Sequence, residues 1–178
     1  MQLYFKVDNE MLTDYIRYLF PTDRSTPLKV SSASEFGELL IAHARISERP
    51  VPKPEGDHVI ELELPQNDAT QSLANHFLYY TKGDMRRLNM GLRAIFDIDF
   101  RTYYLKGLDL EWPKKDIVTA FITSRKLFST DTYDSLHKRA YRREVAKQNK
   151  LTQKLLRKVY YIHESIDSSG LTNNQQND

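Results

Sequence analysis

Apolar side chains occupy every second position in two short segments of the N-terminal half, residues 2–7 and residues 58–64. A period of two places alternate side chains on one face of an extended chain, so both segments are predicted to be half-buried strands. A briefer strand is predicted around residues 28–30. The alternating apolar residues are Leu3, Phe5, Val7, Ile60, Leu62 and Leu64.

Between the two longer strands, apolar residues return every three or four positions, which is typical of amphipathic helices. The first helix is expected over about residues 9–20. The second is expected to begin with the capping pair Ser32 and Glu35 and to continue to Ile46. Three prolines and a glycine in residues 50–56 then predict a linker or an exposed loop.

From residue 67 onward the spacing of apolar residues is helical. Asn67 or Asp68 is expected to cap a helix that ends near Gly83. Asp84 is expected to cap the next helix, which continues until Gly107 and the following Trp-Pro step.

Two further helices are predicted towards the C-terminus. One opens at Asp116 and includes Leu127, and the polar residues 129–132 cap a long final helix. The polar stretch 147–150 interrupts the apolar stripe of that final helix, and residues 168–178 have the composition of a disordered tail.

These elements predict an α+β fold that is mainly helical. A small N-terminal sheet of two or three strands with helices is followed by a helical C-terminal region that ends in a long basic helix. The predicted division is a small α+β lobe at 1–66, a helical region with basic C-terminal helices at 67–167, and the tail at 168–178. One continuous domain is the alternative.

Composition narrows the possible classes of protein. The chain has 178 residues, of which 40% are hydrophobic, and this is enough apolar material for a packed domain. It has no cysteine, which excludes disulfides and thiolate metal sites. The start of the chain resembles no signal peptide, and no apolar run is long enough to cross a membrane. A cytoplasmic protein without membrane contact is therefore expected.

Charge is distributed unevenly along the chain. Residues 113–160 contain 13 Lys and Arg against 4 Asp and Glu, a net charge of +9, although the whole chain carries only +2. Such a basic segment is typical of proteins that bind a polyanion, and nucleic acid, with DNA favoured, is the predicted partner. A solvated basic helix is the alternative. The candidate binding residues are Arg125, Lys126, Lys138, Arg139, Arg142, Arg143, Lys147, Lys150 and Lys154.

Residues 116–127 and 132–146 also have the outline of a helix-turn-helix. In that arrangement Thr132 and Ser135 would lie near the bases, together with Lys138 and Arg139. The connector contains no glycine, and a plain helical hairpin gives the same pattern.

Residues for catalysis are sparse. The five histidines form no metal-binding pair, and no glycine-rich phosphate loop is present. His43 and His76 fall on predicted apolar helical stripes, where a core role is expected. Asp97 and Asp99 lie two residues apart on a predicted helix and therefore point in different directions. The sequence thus predicts a protein that is not an enzyme, with no cofactor and no metal.

A second function remains open at the C-terminal end. An apolar stripe at helical spacing can pack against the core of the same chain, or it can mediate protein–protein interaction or self-association. This stripe comprises Leu151, Leu155, Val159 and Ile162.

Overall fold

The computed structural model describes residues 1–21, 27–129 and 131–141. Within these residues the chain has an α+β fold that is mainly helical, as predicted, with five α-helices and five strands in two sheets. In chain order the elements are β1 Gln2–Lys6, α1 Glu10–Leu19, β2 Leu28–Lys29, α2 Glu35–Ala42, β3 Arg45–Ser47, β4 Val59–Glu63, a 3-10 helix Asp68–Leu73, β5 Phe77–Tyr79, α3 Lys82–Asp109, α4 Lys114–Ser124 and α5 Thr132–Tyr141.

The larger sheet has three strands in the order β1, β4, β2. β1 runs antiparallel to β4, with Leu3 opposite Leu62 and Phe5 opposite Ile60, and β2 runs parallel to β4. All four of these side chains are buried. The alternation in the sequence therefore correctly predicted the strands and the face that packs into the core.

The smaller sheet, formed by β3 and β5, corrects two helix predictions. Ile46 was expected at the end of a helix, but it lies in β3 opposite Leu78 of β5. The helix expected from residue 67 to Gly83 is instead a short 3-10 helix followed by β5. Asn75 between them adopts a left-handed backbone with φ of 64°, which stops helical propagation and turns the chain into the strand.

Three helix starts also differ from prediction. The N-cap of α2 is Ser34 rather than Ser32, and its hydroxyl accepts a hydrogen bond from the Gly37 amide at 3.0 Å. The N-cap of α3 is Thr81, so the predicted cap Asp84 lies in the first turn of the helix. The predicted start of α4 at Asp116 is likewise late, since Pro113 is its N-cap.

α3 and α4 pack closely at a glycine. Gly107 lies inside α3, and a Cβ added there would be 2.7 Å from Cγ1 of Ile117 in α4. Phe121 of α4 packs edge-on against Phe96 and Phe100 of α3, with ring centroids 5.9 and 5.0 Å apart. The absence of a side chain at residue 107 thus lets the two helices approach at their buried aromatic core.

Met1–Asp134 forms one compact unit, and residues 135–141 belong to a second. The predicted division after residue 66 falls inside the first unit, and the predicted tail at 168–178 lies outside the described residues. In the part of the chain that the structure describes, no helix is both long enough and apolar enough to cross a membrane.

Candidate functional site

Four of the nine predicted nucleic-acid contacts are described by the structure. Arg125 and Lys126 directly follow α4, and Lys138 and Arg139 lie in the last turn of α5. Lys126 and Lys138 are exposed, whereas Arg125 and Arg139 are half-buried. The other five predicted contacts lie outside the described residues: Arg142, Arg143, Lys147, Lys150 and Lys154.

Arg125 is engaged within its own unit. Its Nε donates to Oδ2 of Asp99 and its Nη2 donates to Oδ1, both at 2.9 Å. This two-pronged geometry is the strongest arrangement available to a guanidinium and a carboxylate. Asp99 is therefore occupied by an arginine, and Arg125 connects the end of α4 to the middle of α3.

Aromatic rings surround this ion pair. The Arg125 guanidinium carbon lies 4.9 Å from the ring centroid of Tyr18 and 5.5 Å from that of Tyr103. The Tyr15 hydroxyl donates to Oδ2 of Asp99 at 3.1 Å, and burial together with the nearby Asp99 charge raises the pKa of Tyr15 well above its usual range. The cluster links α1, α3 and α4, so it positions these helices. Of the neighbouring cations Arg125 and Lys126, only Lys126 is exposed.

The predicted helix-turn-helix has an unusually long connector. Residues 125–131 separate α4 from α5, whereas three or four residues are typical of the motif. Thr132, a predicted contact to the bases, is buried, and its hydroxyl is hydrogen-bonded to that of Ser129. Thr132 is therefore not available to a ligand.

A second ionic cluster centres on Asp84 in the first turn of α3. This carboxylate is buried and accepts hydrogen bonds from the Thr81 hydroxyl at 2.6 Å and from Nε of Arg45 at 3.2 Å. Nη1 of Arg87 and Nδ1 of His43 each lie 3.5 Å from Oδ1. Asp84 thus joins β3 and the end of α2 to the start of α3.

The partners of Asp84 stabilise its charged form. Hydrogen bonds from Arg45 and Thr81 hold the pKa of Asp84 well below its usual range, although burial acts in the opposite direction. A carboxylate in this state is a poor proton donor or acceptor near neutral pH. The cluster is therefore structural.

His76 does not lie on the predicted helical stripe, since it is exposed between the 3-10 helix and β5.

The first unit contains a groove of about 800 Å³. It runs beside the N-terminal half of α3, past the end of β1 and the loop at 54–55. Its size lies within the range of small-molecule sites. The groove is lined by Lys6, Val7, Asp8, Pro54, Glu55, Tyr80, Lys82, Met85, Arg86, Asn89, Met90 and Arg93.

The neutral polar groups of this groove are already paired. Nδ2 of Asn89 donates to the backbone oxygens of Lys6 and Met85, and its Oδ1 accepts from the Asp8 amide at 2.9 Å. The Tyr80 hydroxyl donates to the Leu40 backbone oxygen at 2.9 Å. These bonds fix the floor of the groove and leave none of its amide or phenol groups unpaired.

The four cations of the groove differ in whether their side chains are hydrogen-bonded or ion-paired to described residues. Nζ of Lys6 donates to the Glu55 backbone oxygen at 2.9 Å, and Nη2 of Arg93 pairs with Asp8 at 3.1 Å. Lys82 and Arg86 are exposed and make no side-chain hydrogen bond or ion pair with any described residue. They lie four residues apart on α3 and so share one face of the helix. This pair was not among the binding residues predicted from the sequence, although its four-residue spacing was an available signal.

Metal-ligating residues do not converge in the described ranges. No group of three or more His, Asp or Glu side chains lies close enough to hold an ion there. Asp97 and Asp99 both lie on α3, as predicted, and Asp99 binds Arg125.

Comparison of the chain with protein-family models, with curated proteins and with solved structures gives no match. The residues and geometry described above are therefore the basis for assigning a function.

Proposed function

We propose that this protein binds nucleic acid without catalysing a reaction, using its basic C-terminal segment, and that DNA is the polymer it prefers. The observation that carries the proposal is the charge distribution. Residues 113–160 contain 13 Lys and Arg against 4 Asp and Glu, while residues 1–112 contain 13 against 17. Lysines and arginines that neutralise phosphates release condensed counterions, and this release supplies much of the affinity of nucleic-acid-binding proteins.

The described residues refine the set of proposed contacts. Lys126 and Lys138 are exposed and suited to phosphate contact. Arg125 is assigned a positioning role instead, because Asp99 holds its guanidinium in two hydrogen bonds. Separating a partly buried pair of this kind to make an external contact costs more than using a solvated lysine. The remaining proposed contacts belong to the run of basic residues from Arg139 onward.

Fluorescence anisotropy with labelled duplex DNA, single-stranded DNA and RNA tests the proposal. The informative variant replaces Arg142, Arg143, Lys147 and Lys150 with Gln. We expect its affinity for duplex DNA at low salt to fall by at least about tenfold, because each lost phosphate contact reduces the number of counterions that binding releases.

The matched control removes the same number of charges from exposed residues of the first unit. It replaces Arg17, Lys29, Arg49 and Lys106 with Gln. We expect this control to retain near-wild-type affinity, because net charge changes equally in both variants. An equal loss of affinity in both would show that overall charge, and not the C-terminal segment, drives binding.

A second candidate function is protein–protein interaction or self-association. It is favoured by large apolar side chains on the described surface, including Ile98 at 65% and Phe128 at 68% exposure. The predicted C-terminal stripe of Leu151, Leu155, Val159 and Ile162, which lies outside the described residues, extends this possibility. Light scattering of the wild type and of a Leu155→Asp, Ile162→Asp double variant tests it. An oligomeric mass that falls to the monomer in the variant supports the function, and a monomer in both contradicts it.

A further inference from the structure

The groove beside α3 combines an apolar lining with two cations, Lys82 and Arg86, that have no acidic partner among the described residues. Its apolar surface includes Met85 and Met90, and Met90 is 63% exposed. Large exposed apolar side chains beside a concave surface commonly mark a ligand site. Because the amide of Asn89 and the hydroxyl of Tyr80 are bonded internally, polar recognition of a ligand falls to the charged groups.

The charges of the groove favour an anion. Four cations and two carboxylates line it, and one of those carboxylates, Asp8, is paired with Arg93. Glu55 contributes one further negative charge. Lys82 and Arg86 lie one helical turn apart, about 6 Å along α3, and together they present several N–H donors.

A phosphate monoester matches this pair better than a carboxylate does. It carries a charge of about −2 near neutral pH and three acceptor oxygens, which balances one ammonium and one guanidinium. A carboxylate carries half that charge and would leave one cation unbalanced. The apolar side chains beside the pair suit a ligand whose phosphate is attached to a planar or apolar group.

We infer that this groove is a nucleotide-binding site, in which Lys82 and Arg86 bind the phosphate and Met85 and Met90 contact the base. A free mononucleotide carries this monoester, whereas each internal nucleotide of a single strand carries a phosphodiester with one negative charge and two free acceptor oxygens. The charge balance therefore favours the free mononucleotide as the ligand. None of the residues that line the groove belongs to the basic C-terminal segment 113–160. A chain that failed to bind duplex DNA through that segment would still be expected to bind a nucleotide here.

The rigidity of the groove supports this assignment. Asn89 ties the end of β1 to α3 through two hydrogen bonds of 2.9 Å, one donated to the Lys6 backbone oxygen and one accepted from the Asp8 amide. On the facing side, Gly56 adopts φ of 108°, and a Cβ there would lie 2.7 Å from Nζ of Lys6. Lys6 can therefore reach the Glu55 backbone oxygen and hold the loop against the strand. A preformed groove binds its ligand with a smaller cost in conformational entropy.

Isothermal titration calorimetry on the full chain tests the inference with four probes: adenosine 5′-monophosphate, adenosine, inorganic phosphate, and a single-stranded oligonucleotide without terminal phosphates. The Lys82→Gln, Arg86→Gln double variant removes both cations, and Met90→Glu removes the apolar contact and adds a repelling charge. Lys29→Gln, Lys106→Gln is the matched control. All of these side chains are exposed, so the fold should be retained, and circular dichroism checks it.

A free mononucleotide as ligand predicts that the monophosphate binds more tightly than adenosine or phosphate alone. Its affinity should fall by about tenfold or more in the groove variants and stay unchanged in the control. Tighter binding of the oligonucleotide than of the monophosphate, lost in the groove variants, would overturn the phosphate monoester as the ligand. If no probe binds the wild type, or if the groove variants bind every probe as the wild type does, the assignment is overturned.

The groove variants also separate this inference from the proposed function. They should bind duplex DNA with unchanged affinity if the C-terminal segment is the duplex site. Loss of duplex binding only in the C-terminal variant, with groove-dependent nucleotide binding intact, would show two independent sites. Loss of nucleotide binding in the C-terminal variant and not in the groove variants would overturn the groove as the site.

Discussion

Asp99 of α3 and Arg125 at the end of α4 are joined by two hydrogen bonds of 2.9 Å. The sequence alone predicted an external partner, nucleic acid, for the arginine, and no metal ion for the aspartate. Their pairing, within the aromatic surroundings of Tyr18 and Tyr103, makes them part of the scaffold. It also separates the cations that support the fold from those available to a ligand.

Replacing Arg125 should therefore affect stability more than binding. We expect Arg125→Lys to lower the free energy of unfolding by about 1–3 kcal/mol, because a lysine cannot form the two-pronged bond to Asp99. Urea denaturation measures the change. Lys126→Gln is the control, since this neighbouring side chain is exposed, and its effect should stay within about 0.5 kcal/mol. Equal effects of the two substitutions would contradict the role assigned to Arg125.

Two glycines of α3 should respond to alanine in opposite ways. Gly107→Ala should destabilise the protein by about 1–3 kcal/mol, because the new methyl group would meet Ile117 at 2.7 Å. Gly83→Ala should be neutral or stabilise by up to about 1 kcal/mol, because its nearest neighbour would be the Thr81 hydroxyl oxygen at 3.7 Å. Thermal unfolding of both variants checks the contrast. Destabilisation by Gly83→Ala and none by Gly107→Ala would contradict the helix packing described here.

Asp84 should make stability depend on pH in the acid range. Because its pKa is lowered in the folded state, the unfolded chain binds the proton more readily. The stabilisation is therefore complete above about pH 4, the ordinary range of an aspartate, and is lost as the pH falls further towards the folded-state value. Asp84→Asn should lower the melting temperature at pH 7, and the difference from wild type should shrink below about pH 4.

Asp57→Asn in the exposed loop is the control for this pH series. Its melting temperature should follow that of the wild type across the range. A deficit of Asp84→Asn that stays constant from pH 7 to pH 3 would show that ionisation of Asp84 does not contribute to stability.

The side chain of Asn89 should contribute to stability, because it is hydrogen-bonded to the backbone at the end of β1. Truncation by Asn89→Ala leaves the Asp8 amide and the Lys6 backbone oxygen without their partner. Both hydrogen bonds are partly buried, and each contributes about 0.5–1.5 kcal/mol, so we expect the free energy of unfolding to fall by about 1–3 kcal/mol. Hydrogen exchange should locate the weakening at the end of β1. Unchanged protection of the Asp8 amide would contradict this account.

The sequence predicted β1 and β4 well because one face of each strand is buried, so that the period of two is visible without knowledge of the partner strand. It failed at residues 77–79, where apolar and aromatic residues fit a helical stripe as well as a strand. What decides between them is pairing with β3, more than thirty residues earlier in the chain. Asn75 was a second, weaker signal in the sequence, because asparagine adopts the left-handed backbone seen there more often than most residues do.

The candidate sites show the same dependence on long-range contacts. Thr81 and Asp84 have the spacing of a capping box, so the true start of α3 was available from local sequence. The partner of Arg125 lies 26 residues away and no local pattern reveals it. The groove likewise depends on β1, the loop at 54–55 and α3 meeting in space, which the order of residues alone does not encode.

The central claim, that the basic C-terminal segment binds nucleic acid, is tested most directly by the salt dependence of affinity. The measurement is the dissociation constant of the full chain for a labelled DNA duplex over a series of salt concentrations. The account predicts tight binding at low salt and a linear fall of the logarithm of the association constant, the reciprocal of the dissociation constant, with log salt, with a slope of about −0.9 for each phosphate neutralised. The slope should become shallower when Arg142, Arg143, Lys147 and Lys150 are replaced with Gln. Absence of binding at low salt, or a slope that these substitutions leave unchanged, would contradict it.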